Sequence, residues 1–506
     1  SSAASYVYKR QVIYMHVYFN PQYFIRNERG CSYIIAKAIP ASEKLKGSVG
    51  SISVLPPIIG YILSHIENCE LEIAEKEISN VTQLRVETID RFIKKLVDNA
   101  QMVGWKYRGV NILFPPFLLL SSKERSTGAM YTTKDFLWME PFIPKRPSIP
   151  LNINFMITTK CCTNCIYCYA DRDREDDLSS QDVLKVLDEA HELGTINLTL
   201  SGGDIFAFLD WKEVVRKVCQ YGFSSILSTK VPLGKDDIFF LKKVGLRNLQ
   251  VSLDAVSPSI LMTTLRVKND YAGKMKQMLQ YCDEIGLKVN VRTVLTKYNA
   301  NEVEIGKLFS FLNGLSNVNS WVLTPAFYSA FKDNYQQYRA SDLELIKIYN
   351  QTKELNTVAH FTILHNKMSE RKYTLQPYST VESFVQNNQI CNANSYSMAI
   401  LSNGDVTACE MLYDNPNFIF GNVRNQSLYD LWNSTVALKM YSYKQSMIEQ
   451  KENNQCSSCR VYSDCKLNVG KRICYVDITK VYGKDKYEYP DPRCPEALVI
   501  KENLIL

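Results

Sequence analysis

The 506-residue sequence holds no run of about 18 consecutive apolar residues, so no segment reads as a membrane-spanning helix. Its first twenty residues, SSAASYVYKRQVIYMHVYFN, lack the continuous apolar core of a secretory signal. Basic residues outnumber acidic ones only slightly, 59 against 52, and no long basic run gathers them; nucleic acid is not an expected partner. No cysteine lies between Cys282 and Cys391. What is present is globular: 46% of residues are hydrophobic and 22% charged, and at roughly 100–200 residues per domain the length suggests about three domains.

Cysteine is abundant. Fifteen of them, an odd number without an export signal, suit metal or redox chemistry better than a disulfide framework. They clump at 161–168 and 456–474, with isolated partners at 391, 409 and 494. Such close spacings are poor disulfide geometry and good metal-ligand geometry.

Along the chain, residues 11–38 read as short β runs broken by turn signals at Asn20-Pro21 and Arg29-Gly30. Helical patterns start at Leu55, Leu71 and Val86, the last with one apolar face of Ile89, Phe92, Ile93, Leu96 and Val97. A β-like return, GVNILF, completes a winged-helix grammar over 1–115, and the Pro-rich MEPFIPKRPSIP (139–150) marks a linker over 116–150. From Leu151 the grammar changes. Strand runs at 151–157, 196–201, 224–229, 248–253, 288–295 and 319–324 alternate with helical patterns, the first opened by Ser179 or Ser180 and closed by Gly194. This predicts an α/β fold: a partial (β/α)6 TIM-like barrel over 151–330 with right-handed crossovers and ligands at the C-terminal strand ends. Residues 331–390 read as a polar helical bridge. The stretch 391–506 is short on periodicity and rich in cysteine, as in a small domain folded around metal.

The loop leaving the first barrel strand, KCCTNCIYCYA (160–170), carries Cys161, Cys165 and Cys168 as C-x3-C-x2-C. Three thiolates can hold three irons of a 4Fe–4S cluster and leave the fourth open to a small chelator; a zinc site with a distant fourth ligand is the competing reading. The spacing resembles the signature of the radical S-adenosylmethionine (SAM) superfamily, in which an aromatic residue, here Tyr167, precedes the last cysteine. The resemblance continues on later strand ends. LSGGD (200–204) is similar to the family's G-G-E motif, with Asp204 for Glu, and implies that Gly202, Gly203 and Asp204 approach SAM. VSLDA (251–255) resembles the ribose-contacting strand end, through Ser252 and Asp254. Arg292, in VRTVL on the fifth strand, is expected either to pair with the SAM carboxylate or to form a barrel-lining salt bridge. Cys162 falls outside the spacing and reads as a bystander; Cys219 and Cys282 read as packed helix thiols. No catalytic residue is singled out.

The C-terminal cysteines resemble a SPASM domain, which implies two auxiliary 4Fe–4S clusters and three clusters in all. The resemblance assigns Cys391, Cys409 and Cys474 to the first and Cys456, Cys459, Cys465 and Cys494 to the second. Two departures stand out: Cys465 to Cys474 is x8 rather than x3, with Val469 at the usual position, and the first set stops at three thiols. An open iron there could take a substrate thiolate. The N-terminal region is similar to the peptide-recognition element (RRE) of enzymes that modify ribosomally made peptides; the acidic LEIAEKEIS helix argues against DNA. Together these imply a peptide maturase of the cytoplasm of an anaerobic or facultative bacterium. It would cleave SAM reductively with electrons from a flavodoxin or ferredoxin, capture a precursor peptide by its leader, and form an intrapeptide crosslink. A Cys thioether is the preferred bond and a carbon–carbon or aryl link the runner-up. A non-catalytic metal-bearing peptide- or DNA-binding protein is the reading of another class.

Overall fold

The computed structural model describes residues 16–38, 52–66, 70–122, 137–168, 170, 177–223, 226–327, 334–365, 378–448, 454–467 and 471–498. The chain forms two compact units, Ser1–Pro147 and Ser148–Leu506.

The first unit contains β1 (His16–Phe19), β2 (Tyr23–Glu28), β3 (Cys31–Ala36), β4 (Ile52–Leu55), β5 (Val103–Tyr107), β6 (Val110–Phe114) and β7 (Leu119–Ser122). Strands β2, β3 and β4 form an antiparallel sheet in that order, and β5 with β6 makes a hairpin. Gly30 takes φ +86° at the β2–β3 turn, a region glycine enters without penalty. Helices Pro57–His65, Leu71–Thr82 and Val86–Leu96 lie between sheet and hairpin in sequence. The last buries Ile89, Phe92, Ile93 and Leu96, with Phe92 edge-on to Trp105 and Phe114 at 5.1 and 5.5 Å. Strand β7 falls in the stretch read as linker and pairs with β1, from His16 opposite Ser122 to Phe19 opposite Leu119.

The second unit holds β8 (Asn152–Thr158), β9 (Asn197–Gly202), β10 (Leu227–Thr229), β11 (Asn248–Ser252), β12 (Lys288–Leu295), β13 (Val318–Pro325), β14 (Thr362–His365), β15 (Ser397–Ile400), β16 (Asp405–Thr407) and β17 (Ile419–Asn422). β8 and β9 pair in parallel, as do β10 through β14 in sequence. The α/β architecture expected from the six strand runs is therefore present. Its first crossover helix, Ser180–Leu193, opens on a Ser179–Asp182 capping box and closes on Gly194 at φ +83°. Along β12 alternate residues are fully buried (Val289, Val291, Thr293, Leu295), while Asn290, Arg292 and Val294 on the other face are half-buried.

Two features differ from the sequence reading. The bridge 331–390 contributes β14, a further parallel partner beside β13. From 391 the chain first returns to the barrel: β15 pairs in parallel with β8, and β16 and β17 follow antiparallel. These strands are only three or four residues long, too short for a periodic signal.

Candidate active site and cysteine clusters

The sheet is interrupted between β9 and β10, which pair with different neighbours. Asp204 spans the gap. Its carboxylate accepts from Thr229 Oγ1 at 3.0 Å, Lys230 N at 2.7 Å and Phe206 N at 3.1 Å. Burial is the main reason its carboxyl is pushed up to about 6, against the pull of those donors. Gly202 and Gly203 precede it. A Cβ on Gly202 would lie 2.2 Å from Thr158 O, and one on Gly203 would lie 2.1 Å from Lys160 O. What closes on these glycines is thus the backbone that leads into the cysteine loop.

That loop leaves the C-terminal end of β8. It is tied to the end of helix Pro258–Leu265 by Asn164 N to Leu265 O and Ile166 N to Thr264 O, both 2.9 Å. Thr163 Oγ1 sits 3.3 Å from both Cys161 Sγ and Cys165 Sγ. Cys165 is buried and its thiol pushed up by that burial, while the nearby Lys230 charge pulls it back. Cys162 is exposed and donates to Lys230 O at 3.5 Å.

The loop's Tyr167 reaches across to β11: its hydroxyl donates to Asp254. Asp254, 1% exposed, also accepts from Lys230 Nζ at 3.1 Å and Val294 N at 2.9 Å. Burial pulls Lys230 down, but Asp254 and the thiols of Cys165 and Cys161 outweigh it, and the ammonium ends above its usual range. Tyr271 fixes the Lys230 backbone, donating to its carbonyl at 2.6 Å. In this structure Asp254 is thus engaged by protein groups. Ser252 and Arg292 occupy paired register positions on the half-buried face, and Arg292 Nε is buried with no hydrogen-bond partner among the described residues. An orphan cationic donor there suits an anionic ligand group. Sequence reasoning missed Lys230 and Tyr271; the one available signal was that Lys230 follows a strand, in LSTK, at the functional end of the barrel.

The C-terminal thiols fall into two neighbourhoods. Cys456, Cys465 and Cys494 are buried, and the charges of Cys456 and Cys459 both act on Cys494, as that of Cys494 does on Cys465. Burial raises all three thiols, Cys494 to about 12. Gln445 Nε2 holds the turn, donating to Cys456 O at 3.0 Å and Cys459 O at 2.9 Å. In the other neighbourhood Cys391 acts on both Cys409 and Cys474, despite the lengthened spacing before Cys474. Burial raises these thiols too, Cys409 to about 12, and Asp477 adds to the rise in all three. Asp477 and Asp491 are clamped by Arg493, at 2.5 and 2.9 Å, and Asp491 caps Cys474 N at 2.8 Å. Among the described residues, no three His, Cys, Asp or Glu side chains converge tightly enough to hold a single metal ion. Three thiols on the loop and seven in two C-terminal sets are a donor complement that fits iron–sulfur clusters.

Residues 155–311 match the Radical SAM superfamily and residues 391–465 match SPASM, an iron-sulfur cluster-binding domain. The chain thus carries a radical SAM domain followed by a SPASM domain. Among its relatives, a probable GTP 3′,8-cyclase of Methanothermobacter thermautotrophicus is 26% identical over 276 residues, 53% of this chain and 87% of that protein. A PqqA peptide cyclase of Bradyrhizobium diazoefficiens is 26% identical over 159 residues, 31% of this chain and 42% of that one. The fold is similar to that of Streptococcus suis SuiB bound to precursor peptide SuiA, with TM-score 0.59 and 16% identity over 95% of this chain and 100% of that one. No described helix is long and apolar enough to cross a membrane.

Proposed function

We propose that the chain is a radical SAM peptide maturase that crosslinks a ribosomally made precursor, preferably through a cysteine thioether. The observation that carries the peptide reading is the first unit: a separate fold whose three-stranded antiparallel sheet ends on the short strand β4. A sheet edge of this kind can accept an extended leader as an added strand, with main-chain bonds for affinity and side-chain pockets for register. The whole-chain likeness in fold to SuiB, crystallised with its precursor peptide, supports the same reading.

Cys161, Cys165 and Cys168 would hold the SAM cluster, and the two C-terminal sets would hold two auxiliary clusters. When bound, the cluster and SAM supply a 5′-deoxyadenosyl radical able to take hydrogen from an unactivated carbon. The chain's own part is binding and orientation. Arg292 offers its orphan Nε to the SAM carboxylate, Ser252 lies beside it in register, and Gly202–Asp204 with Tyr167 and Asp254 set the loop against the strand ends. The first auxiliary set stops at three thiols, which leaves a position for a peptide thiolate and favours a thioether. Electrons would come from a small donor such as flavodoxin or ferredoxin.

The test is mass spectrometry of a small cysteine-bearing peptide encoded beside this chain, after incubation with the reconstituted enzyme, SAM and reductant. A loss of two hydrogens mapped to a cysteine is expected. Removing the leader should weaken binding to the full chain at least tenfold; equal turnover of a leaderless peptide would overturn peptide capture. A core-cysteine-to-alanine peptide that is still crosslinked would replace the thioether by a carbon–carbon or aryl bond.

A further inference from the structure

Strand β11 stops at Ser252, yet Leu253, Asp254, Ala255 and Val256 after it are all buried. A buried stretch outside sheet and helix must find partners for its backbone polar groups. Here several come from side chains of one neighbouring segment, 293–304. Thr293 Oγ1 donates to Leu253 O at 2.7 Å and accepts from Trp321 Nε1 at 2.9 Å. Asn299 Nδ2 donates to Asp254 O at 2.8 Å and Val294 O at 2.9 Å, and its Oδ1 accepts from Thr296 N at 2.7 Å and Thr296 Oγ1 at 2.9 Å. Both donors and both lone pairs of that amide are thus used. Glu304 Oε1 accepts from Val256 N at 2.6 Å and Ser257 N at 2.9 Å, and its Oε2 accepts from Ser257 Oγ at 2.5 Å. Asn299 and Glu304 are 1% and 2% exposed.

This bracket stands between two parts of the site. On one side is the Asp254 carboxylate, which meets Tyr167, Lys230 and the Val294 amide. On the other, Ser257 opens helix Pro258–Leu265, whose last two carbonyls, Thr264 O and Leu265 O, hold the amides of Ile166 and Asn164 in the cysteine loop. Ser257 does not cap that helix with its own side chain; its hydroxyl is turned to Glu304 instead. The carboxylate lies at the positive end of the helix, where a negative charge is favoured. Glu304 is fixed in turn, since its N–H donates at 2.9 Å to Asn301, the N-cap of helix Glu302–Asn313. A site that must be held to within about 0.5 Å needs support of this kind behind it.

We propose that Asn299 and Glu304 are positioning residues of the SAM site: they hold the turn 253–257 so that Asp254 stays against Tyr167 and helix Pro258–Leu265 stays against the cysteine loop. This rests on the reading that Cys161, Cys165 and Cys168 hold the SAM cluster. Neither residue belongs to the motifs that announce the site, and neither touches the thiols; both act through the turn.

The experiment joins two measurements on the full chain: SAM cleavage by the reconstituted enzyme, read as 5′-deoxyadenosine, and hydrogen exchange of the iron-free chain. Glu304→Ala and Asn299→Leu should each raise the KM for SAM about tenfold while kcat stays within about threefold. Exchange at the Asn164 and Ile166 amides should quicken about tenfold, while helix Ser180–Leu193 keeps its protection. Glu304→Gln keeps an oxygen for the two amides and should bring both readouts to within about twofold of the parent. Folded Ala and Leu variants with both readouts within about twofold of the parent overturn the proposal. So does a uniform loss of protection from β8 to β13 with an unchanged KM, which makes the role one of stability alone. If both variants fail to fold, Ser257→Ala, which removes the hydroxyl bond to Glu304, decides: a shift of about threefold in the same direction supports the proposal, and no shift overturns it. A parent that binds no SAM sinks the reading of the loop, a distinct result, and exchange at Asn164 and Ile166 still tests the bracket.

Discussion

In the loop 161–168 the three candidate ligands lie within eight positions, on a scaffold that is complete without them. Strand β8, the glycines at 202–203 and the end of helix Pro258–Leu265 fix the loop through backbone contacts. Between 391 and 494 the thiols are scattered over about a hundred positions. The residues between them form the short strands β15 to β17, 3-10 and π turns, and the helices Leu428–Trp432, Thr435–Tyr441 and Tyr475–Tyr482, none longer than eight residues. One of the hydrophobic clusters there has as its buried members only Ile448, Cys456 and Tyr462. On the proposed reading the first region is a fold that would present a cluster site, and the second a set of buried and half-buried thiols for which bound metal would be part of the core. Both regions pair buried charge side chain to side chain, Lys230 with Asp254 in the barrel and Arg493 with Asp477 and Asp491 in the C-terminal region, where Lys466 and Lys471 also donate to backbone carbonyls.

The contrast is broken most directly at Cys165. Cys165→Ala should abolish reductive SAM cleavage, read as loss of 5′-deoxyadenosine, while the barrel keeps its fold and the C-terminal sets keep their iron. Collapse of the barrel would show that the loop thiols hold the scaffold together after all. Stripping iron from the whole chain sharpens the other half. Hydrogen-exchange protection of Tyr475–Tyr482 should drop about 100-fold or more, while that of β11 and β12 changes little. Equal losses in both places would erase the distinction.

What could be read from sequence follows the same division. The barrel strands β8 to β13 fall close to the positions expected, because β-branched runs bounded by turns report themselves locally. The Ser179 cap and the Gly194 stop were legible for the same reason. Strands β15 to β17 were not, since each depends on pairing that its own few residues do not announce, β15 on the distant β8. Among site residues, the cysteines carry their spacing with them. Lys230 does not: an isolated lysine reads as surface until the fold buries it.

The next test acts within the barrel, on its paired charge. Lys230→Met leaves the Asp254 carboxylate, 1% exposed, without its cation. Breaking a buried pair by removing one partner costs about 3 kcal/mol or more. The loss should appear in hydrogen exchange of β11 and β12 in the iron-free chain, and the double change Lys230→Met with Asp254→Asn should recover part of it. If the single change costs nothing, Asp254 is sufficiently held by Tyr167 and the Val294 amide.

The smallest effect is a pH slope at Asp204. Burial, above all, raises its folded carboxyl to about 6 from an ordinary 3.8. A folded value above the unfolded one means that the protonated form favours the fold. The stabilisation is full below about pH 4 and is lost as pH rises through 6. A tenfold change in proton affinity on folding corresponds to ~1.4 kcal/mol; allowing for local relaxation, the barrel of the iron-free chain should lose about 1–2 kcal/mol between about pH 4.5 and 7.5. Asp204→Asn cannot titrate. It gives up one good bond, since its amide faces the Lys230 N–H, so it is weaker at both pH values, but its slope should flatten by that amount. Protection measured in β9 and β10 at the two pH values separates the slope from the offset. An unchanged slope in the Asn variant would place the titrating group elsewhere. The three donors to Asp204, Thr229 Oγ1, Lys230 N and Phe206 N, would then be holding an ionised carboxylate throughout this range.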